Sequence, residues 1–147
     1  MVLRVQSAPF DPGHMLNSFT GQQDRSGAVV SFTGVVRDVE GGLDHMEIEH
    51  FPGMTEKAID AMITKARARF RLDDVLVIHR YGQLGPGEVI MMVVTSAPHR
   101  ADAFLGAEFL MDYLKSRAPF WKKEVTAKGA TWVSATCADE DALTRWD

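Results

Sequence analysis

Cysteine is nearly absent from this sequence, because Cys137 is the only one among 147 residues. A single cysteine excludes an internal disulfide framework and a cysteine-rich metal site. The sequence places no catalytic partner beside it, so we interpret Cys137 as a small structural residue rather than a reactive thiol. The histidines lack a metal-ligand spacing such as HExxH, and we predict neither a metal nor a bound cofactor.

Positive charge and long apolar runs are also scarce. Lysine and arginine total 16 against 20 acidic residues, giving a net charge of −4 that disfavours general nucleic-acid binding. The longest apolar run, Val89–Val94, is far too short to span a bilayer. Pro9, Asp11 and Pro12 interrupt the N-terminal region, unlike an export signal. We therefore predict a cytoplasmic protein with no membrane or nucleic-acid partner.

What the sequence does contain is a regular series of strand patterns within a chain of single-domain length. Strands are predicted where β-branched and aromatic residues cluster: Leu3–Gln6, Ala28–Arg37, Met46–Phe51, Val75–Arg80, Val89–Ser96, Trp121–Ala127 and Thr131–Ala135. The two long strands at 28–37 and 46–51 are expected to form a hairpin. The strands at 75–80 and 89–96 are expected to form another, across Gly85–Gly87, and the strands at 121–127 and 131–135 a final pair around Lys128 and Gly129.

Helices are predicted where apolar residues recur at helical spacing. The first runs over Thr55–Arg71, with Thr55 as its N-cap. The second begins near Pro98 and ends at Pro119. Its predicted inward face consists of Phe104, Ala107, Met111 and Leu114. Shorter helical stretches are expected near Met15–Gln22 and Asp139–Trp146.

This order of elements predicts an α+β fold, with a mostly antiparallel sheet and two main helices packed on one side of it. We predict a single domain over residues 1–147. It divides into an N-terminal strand and irregular segment at 1–26, a core at 27–135 and a C-terminal tail at 136–147.

Basic residues are concentrated in one short segment, Lys115–Glu124, which holds four of the 16 in the chain. They are Lys115, Arg117, Lys122 and Lys123. One interpretation is structural, because the first two lie where cations stabilise a helix C-terminus and the last two can decorate a strand. The other is chemical, because Phe120 and Trp121 lie among the charges and aromatic walls can desolvate a lysine and shift its pKa. The pattern alone favours the structural interpretation and leaves the chemical one open.

Two residues able to carry positive charge, His99 and Arg100, open the second predicted helix, where the helix dipole already contributes positive potential. A bound phosphate would remove this conflict, since helix N-termini and arginine side chains both bind phosphate well. A solvent-exposed pair without a ligand is the equal alternative. Arg37, which precedes a glycine-containing loop, is a weaker candidate for a further anion contact.

The two candidate basic sites cannot meet within one chain. From Arg100 to Lys115 a straight helix rises about 22 Å at roughly 1.5 Å per residue, which is too far for one small-ligand pocket. Two copies related by a two-fold axis can bring one helix start to the other helix end. We therefore expect a homodimer whose pockets take residues from both chains.

In five stretches of the chain, the sequence strongly resembles the molybdopterin synthase large-subunit family. The matching stretches are Gly27–Arg37, Glu49–Ala58, Val77–Arg80, Thr95–Arg100 and Met111–Glu124. Together they cover most of the chain from Gly27 to Val133. Val35, Pro98 and Thr136 depart from the pattern that we expect in this family.

The resemblance implies an α/β hammerhead-type fold with a small additional β subdomain, and a homodimer within a heterotetramer. It implies a small ubiquitin-like partner whose C-terminal Gly-Gly tail carries a thiocarboxylate and donates sulfur to cyclic pyranopterin monophosphate, building the dithiolene of molybdopterin. Lys115 and Lys122 are implied as the essential lysines. The implied substrate contacts are Arg37, His99, Arg100, Lys115, Lys122, Lys123 and Glu124.

Two other functions remain open from the residues alone. Trp121 and the basic segment also fit a non-catalytic α+β module that binds RNA or a nucleotide by stacking. Steep salt-dependent binding of single strands would reveal such a module. A phosphoryl-transfer enzyme is disfavoured, since the sequence shows no obvious carboxylate cluster for Mg²⁺.

Overall fold

The chain folds into eight strands and four helices over residues 2–134 and 136–147, the part that this computed structural model describes. The strands are β1 (Val2–Gln6), β2 (Ala28–Val35), β3 (Leu43–His50), β4 (Asp74–Arg80), β5 (Gly82–Leu84), β6 (Val89–Ala97), β7 (Phe120–Thr126) and β8 (Gly129–Val133). The helices are α1 (Pro12–Gly21), α2 (Met54–Phe70), α3 (Arg100–Ser116) and α4 (Cys137–Leu143), followed by a 3-10 turn at Thr144–Trp146. The predicted α+β class is confirmed. The predicted end of the last strand, Ala135, lies outside the described residues.

Sheet 1 has the strand order β1-β4-β6-β2 and forms the centre of the molecule. Only β1 and β4 run parallel, and the other neighbours are antiparallel. Alternate residues of β4 belong to different clusters: Val75 and Val77 pack with α2 and α3, whereas Leu76 and Ile78 pack with residues of α1. The two main helices therefore lie on one face, as predicted, but α1 covers the other face, so the expectation that helices cover one side alone was wrong. Near-continuous apolar strands such as β4 and β6 need cover on both faces, and α1 provides it.

Sheet 2 has the order β5-β3-β7-β8 and is wholly antiparallel. The predicted hairpin of β2 with β3 was wrong, because β2 pairs with β6 in sheet 1 and β3 pairs with β5 and β7. The connection between them turns at Gly41 and Gly42, whose φ angles of 88° and 89° favour glycine. The predicted pairs β4 with β6 and β7 with β8 are confirmed.

Helix α2 begins one residue before the predicted N-cap. Gly53 is the N-cap with a φ of 86°, and its backbone N–H donates to Glu56 Oε2 at 2.7 Å. Thr55 instead lies buried inside the first turn, where its hydroxyl donates to the Phe51 carbonyl at 2.9 Å. The predicted buried stripe is confirmed, with Ile59, Ile63, Ala66 and Phe70 in the core.

Helix α3 begins later than predicted, because β6 continues to Ala97 and His99 is the N-cap. Of its predicted inward face, Ala107 and Leu114 are buried and Met111 is half-buried, whereas the prediction for Phe104 was wrong. Phe104 is 61% exposed, whereas Ala103, Phe109 and Leu110 are fully buried. Phe109 packs edge-on against Phe70 at a ring distance of 5.5 Å, which fixes the rotation of the helix.

The C-terminal tail packs against α2 and α3. Trp146 is buried, lies 5.4 Å from the Phe109 ring, and donates from its indole N–H to Asp112 Oδ2 at 2.7 Å. These contacts hold α4 beside the C-terminal end of α3. Within the described ranges, no helix has the length and apolar character needed to cross a membrane.

Candidate functional site

A cleft of about 520 Å³ opens between the two sheets, next to the C-terminal end of α3. One wall comes from the end of β2 and the residues that follow it, and the other comes from α3 and sheet 2. The lining side chains that carry charge or can carry it are Arg37, His79, Lys115, Lys122 and Glu124. The apolar lining includes Phe32, Met46, Met91 and Met111. The site therefore combines cationic groups with an apolar wall.

Lys115 and Lys122 reach this cleft from two different elements. Lys115 lies in the last turn of α3, and Lys122 follows in β7 after the short connection at 117–119. The Lys115 side chain is 58% exposed, while that of Lys122 is mostly buried. Burial lowers the pKa of Lys122, and the nearby charge of Lys115 lowers it further. A lysine in this environment can exchange a proton more readily than one on the surface.

The alternation of side chains along β7 separates neighbouring residues of the basic segment. Lys122 and Glu124 line the cleft, whereas Lys123 does not and lies on the other face of the strand. Lys123 Nζ pairs with Glu47 Oε2 at 3.0 Å and lies 5.3 Å from the centre of the Trp132 ring. Lys123 therefore does not line the cleft of this single chain, and its contact with substrate stays a prediction.

The aromatic neighbour of the lysines differs from the expectation. Trp121 is 49% exposed and does not line the cleft. Phe120 contributes instead by stacking on His79, with ring centres 3.8 Å apart and planes 16° from parallel. Phe120 also lines a smaller pocket with Lys115 and Lys122, so the expected aromatic wall beside the lysines comes from Phe120 and not from Trp121.

His79 is a cleft residue that the sequence analysis did not select. It is buried, and its Nδ1–H donates to the Arg80 carbonyl at 2.8 Å. Burial, followed by the charge of Lys122, lowers the pKa of His79 from its ordinary value of 6.5 to about 3. The ring therefore stays neutral near pH 7, with Nε2 as an acceptor. The sequence feature that could have identified it is its position in β4, where a titratable residue directly follows the apolar run Val75–Ile78.

The end of β2 shapes the opposite wall. A bulge falls between Gly34 and Val35, and Arg37 follows on the cleft surface. A Cβ at Gly34 would lie 3.0 Å from Met91 Cγ and 3.2 Å from Ile90 Cγ2, so a larger residue would press into the cleft wall. The predicted Arg37 therefore shares the cleft with Lys115, although its role stays a prediction.

His99 and Arg100 lie elsewhere. Both are exposed at the start of α3, and neither lines the cleft. The His99 side chain makes no capping hydrogen bond to the helix. Within one chain the structure therefore brings together Arg37, Lys115, Lys122 and Glu124, and leaves His99 and Arg100 at the opposite end of α3.

The residues that depart from the expected pattern have visible places in the fold. Val35 is exposed on the cleft wall, so it contributes apolar surface there. Thr136 is the N-cap of α4, and its hydroxyl accepts the Asp139 N–H at 3.1 Å. Cys137 follows it and is exposed away from the cleft lining.

Comparisons with known proteins agree with one another. The family model described as MoaE protein matches residues 5–117. A curated relative from Cereibacter sphaeroides, a molybdopterin synthase catalytic subunit, is 62% identical over 99% of this chain and 100% of its own length. A relative with the same description from Ralstonia nicotianae is 51% identical over 98% of this chain and 83% of its own length.

Solved structures are similar to this chain in fold. The molybdopterin biosynthesis MoaE protein from Burkholderia ambifaria superposes with a TM-score of 0.85 at 45% identity, covering 99% of this chain and 97% of that one. The molybdopterin synthase from Staphylococcus aureus superposes with a TM-score of 0.82 at 27% identity, covering 89% of this chain and 96% of that one.

Proposed function

This chain belongs to the MoaE protein family and is a sulfurtransferase of molybdenum cofactor biosynthesis, and from this premise we propose that sulfur transfer takes place in the cleft beside Lys115 and Lys122. The sulfur donor is the C-terminal thiocarboxylate of a small ubiquitin-like carrier protein. The acceptor is cyclic pyranopterin monophosphate, which becomes the dithiolene of molybdopterin after two transfers.

The observation that carries this proposal is the pairing of two unlike lysines on one cleft. Lys115 is largely exposed and lies near a carboxylate, and its ammonium group can stabilise an oxyanion at the thiocarboxylate carbonyl. Lys122 is mostly buried beside another cation, and its lowered pKa fits proton transfer during sulfur addition and ring opening. An acyl-transfer reaction at neutral pH needs both properties.

Each transfer forms two bonds and breaks two. The thiocarboxylate sulfur bonds to a carbon of the pterin side chain, and the C–O bond at that carbon breaks, so that the oxygen leaves as water or stays on the phosphate when the cyclic ester opens. A thioester then joins the two molecules. Water cleaves the bond between sulfur and the acyl carbon, so that sulfur remains on the pterin and the carrier leaves with a carboxylate. The chain supplies positive charge beside the carbonyl and a proton carrier, in a partly dehydrated cleft.

Substrate binding divides between groups in the cleft and groups that one chain cannot bring there. Arg37 and Glu124 line the same cleft as the lysines, and we assign them to the pterin monophosphate. His99 and Arg100 reach a cleft only in a second copy, because the helix between Arg100 and Lys115 is about 22 Å long. We therefore propose a homodimer within a heterotetramer, with His99 and Arg100 contributed across the two-fold axis.

Mixing two inactive variants tests the shared site. In a population of Lys115→Ala and Arg100→Ala chains, about half of the dimers contain both, and each of these has one intact site. We expect the mixture to recover up to about a quarter of the normal rate. A mixture that stays inactive, or a fully active monomer by light scattering, would contradict the shared site.

The cellular location and the domain organisation follow from the same premise. We propose that the chain acts in the cytoplasm as one domain over residues 1–147. Support for one domain comes from the core, where Leu3 and Val5 of the N-terminal strand and Trp146 of the tail join the same cluster.

Reconstitution tests the proposed reaction. The protein is mixed with a thiocarboxylated carrier ending in Gly-Gly and with the pterin monophosphate, and dithiolene product is measured. We expect product with the unmodified chain, and a rate lower by about a hundred- to a thousand-fold for Lys115→Ala. Lys128→Ala, which changes an exposed lysine of the β7–β8 turn, is the matched control and should keep the full rate. Near-normal turnover of Lys115→Ala with a normal thermal transition would refute the role of the lysine.

A further inference from the structure

A second, smaller pocket of about 180 Å³ adjoins the cleft on the other side of the two lysines. Its polar lining consists of Lys115, Ser116, Lys122, Ser134 and Asp139. Asp139 comes from α4, a helix of the C-terminal tail to which the sulfur-transfer chemistry assigns no part. A carboxylate therefore reaches the lysine pair from an element outside the cleft.

The Asp139 carboxylate is fixed by its own helix. Its Oδ2 accepts the Thr136 N–H at 3.0 Å, while the Thr136 hydroxyl accepts the Asp139 N–H at 3.1 Å, so the two residues form a reciprocal capping box. Its Oδ1 lies 3.8 Å from Lys115 Nζ. The Asp139 side chain is 22% exposed against 58% for Lys115, so the acid is the more constrained partner. The flexible lysine is thus held by a carboxylate that does not depend on it for its position.

Charges around the lysine pair come from several elements. Lys122 on β7 faces Lys115 on α3 and neutral His79 on β4, and Arg37 and Glu124 line the cleft beside them. The pKa of Lys122 is lowered by burial and by Lys115, while Asp139 opposes both effects. The pKa of Asp139 is itself lowered, mainly by the Thr136 backbone N–H and also by Lys115 and Lys122. Asp139 is therefore ionised at neutral pH, with both lysines in its field.

We propose that Asp139 is a positioning residue for sulfur transfer: from the first turn of α4 it holds Lys115 Nζ at the cleft and balances the charge of the Lys115–Lys122 pair. The Lys115 ammonium then lies at the site where the oxyanion forms, although a second cation lies beside it. The C-terminal tail thereby becomes part of the active site through its electrostatic effect. This inference rests on the proposed function for its consequence in catalysis, but not for the coupling between the acid and the lysines.

Asp139→Asn separates charge from structure. The amide oxygen still accepts the Thr136 N–H, so the cap of α4 is retained while the negative charge is removed. Glu140→Gln is the matched control, because it removes one charge from the same helical turn. Glu140 pairs with Arg117 at 3.0 Å and does not line either pocket with the lysines. Asp139→Glu restores the charge in a position where glutamate also completes a capping box.

The first measurement needs neither carrier nor pterin. Full-length protein is treated with an amine-acylating reagent over a range of pH, and modification of Lys115 and Lys122 is followed by peptide mass spectrometry. Asp139 raises the pKa of Lys122, so loss of the carboxylate should make more of that amine neutral, and we expect Lys122 in Asp139→Asn to react about two- to fivefold faster at a fixed pH. Glu140→Gln should match the unmodified chain, and Asp139→Glu should return the rate towards normal. Equal rates in Asp139→Asn and the unmodified chain, or the same acceleration in Glu140→Gln, would overturn the proposal.

The second measurement is the pH–rate profile of dithiolene formation. In Asp139→Asn the limb of the profile that reports Lys122 should move to lower pH, because Asp139 raises the pKa of that lysine, and Asp139→Glu should restore it. A lysine response in the labelling experiment with an unchanged pH–rate profile would remove Asp139 from the reaction. If the unmodified chain forms no dithiolene at all, the proposed function fails, while the labelling experiment still decides whether Asp139 controls the lysines.

Discussion

The two sheets of this molecule differ in how deeply their strands are buried and in which residues they supply to the cleft. In sheet 1 the central strands β4 and β6 are almost entirely buried, because helices cover both faces. In sheet 2 the edge strand β8 is exposed along its whole length and β7 is mostly half-buried. Yet β7 supplies Lys122 and Glu124 to the cleft, while sheet 1 mainly supplies its floor and apolar wall. Stability and chemistry should therefore respond to changes in different sheets.

The largest expected effect on the reaction comes from Lys122→Ala. We expect the rate of dithiolene formation to fall by about a thousand-fold, or roughly 4 kcal/mol in the barrier, because a proton carrier beside the reacting carbonyl is lost. The free energy of unfolding should stay the same or rise, since a desolvated charge is removed. Thermal denaturation and the product assay measure the two quantities. A large loss of stability in this variant would contradict the claim that stability and chemistry respond to changes in different sheets.

The converse change is Ile78→Ala in sheet 1. Ile78 is fully buried against α1, so the substitution should cost about 2 to 5 kcal/mol of unfolding free energy through lost burial and a cavity. Denaturant titration measures this cost. The exposed Thr131→Ala on β8 is the comparison and should change stability by less than about 0.5 kcal/mol. Comparable losses in both variants would show that the sheets contribute alike.

His79 belongs to sheet 1 and borders the cleft. Its titration should make the free energy of unfolding depend on pH. Its pKa is lowered from 6.5 when unfolded to about 3 when folded, so the unfolded chain binds the proton first as pH falls. This contribution to stability is fully present above pH 6.5 and is lost as pH falls from there towards 3. Between pH 7.5 and pH 5 the loss should be about 2 kcal/mol.

Denaturant titration of the unmodified chain and of His79→Gln at several pH values measures the contribution of His79 to the free energy of unfolding. The variant lacks the titrating group, so its stability should fall less steeply over the same interval. Parallel curves for the two proteins would mean that His79 is not held neutral by the fold.

The smallest expected effect distinguishes two neighbours on β7. Lys123→Met removes the ion pair with Glu47, whose partners are both partly exposed, and should cost less than about 1 kcal/mol of stability. The product rate should remain near normal, in contrast to Lys122→Met. If Lys123→Met lost activity as strongly as Lys122→Met, Lys123 would contact substrate as the resemblance implies.

Much of the fold followed from periodicity along the chain. The buried stripe of α2 and the strand pair β7 and β8 could be predicted because local spacing determines which face is apolar. The neighbour with which a strand pairs could not be predicted in the same way. The pattern of β2 indicates a strand, but its pairing with β6 rather than β3 depends on packing across the whole core. Phe104 shows a similar limit, since a small change of helical phase moved it from the core to the surface.

The site was predicted where its residues were unusual for their surroundings. Lys115 and Lys122 stood out as a basic cluster in an acidic chain, and the structure places both on one cleft. His79 was missed because its apolar strand looked structural, and a single histidine carries no spacing signal. Asp139 was missed because only the folding of the tail against α3 brings it to Lys115. Contacts between distant segments thus account for both omissions.

The most direct test of the central claim is a single-turnover experiment with radioactive sulfur in the carrier thiocarboxylate. With the unmodified chain, the account predicts that the label moves to the pterin and that the carrier is released with a carboxylate. With the Lys115→Ala, Lys122→Ala double variant, the label should stay on the carrier even though the complex forms. Transfer of the label to the pterin at the normal rate in the double variant would contradict the account.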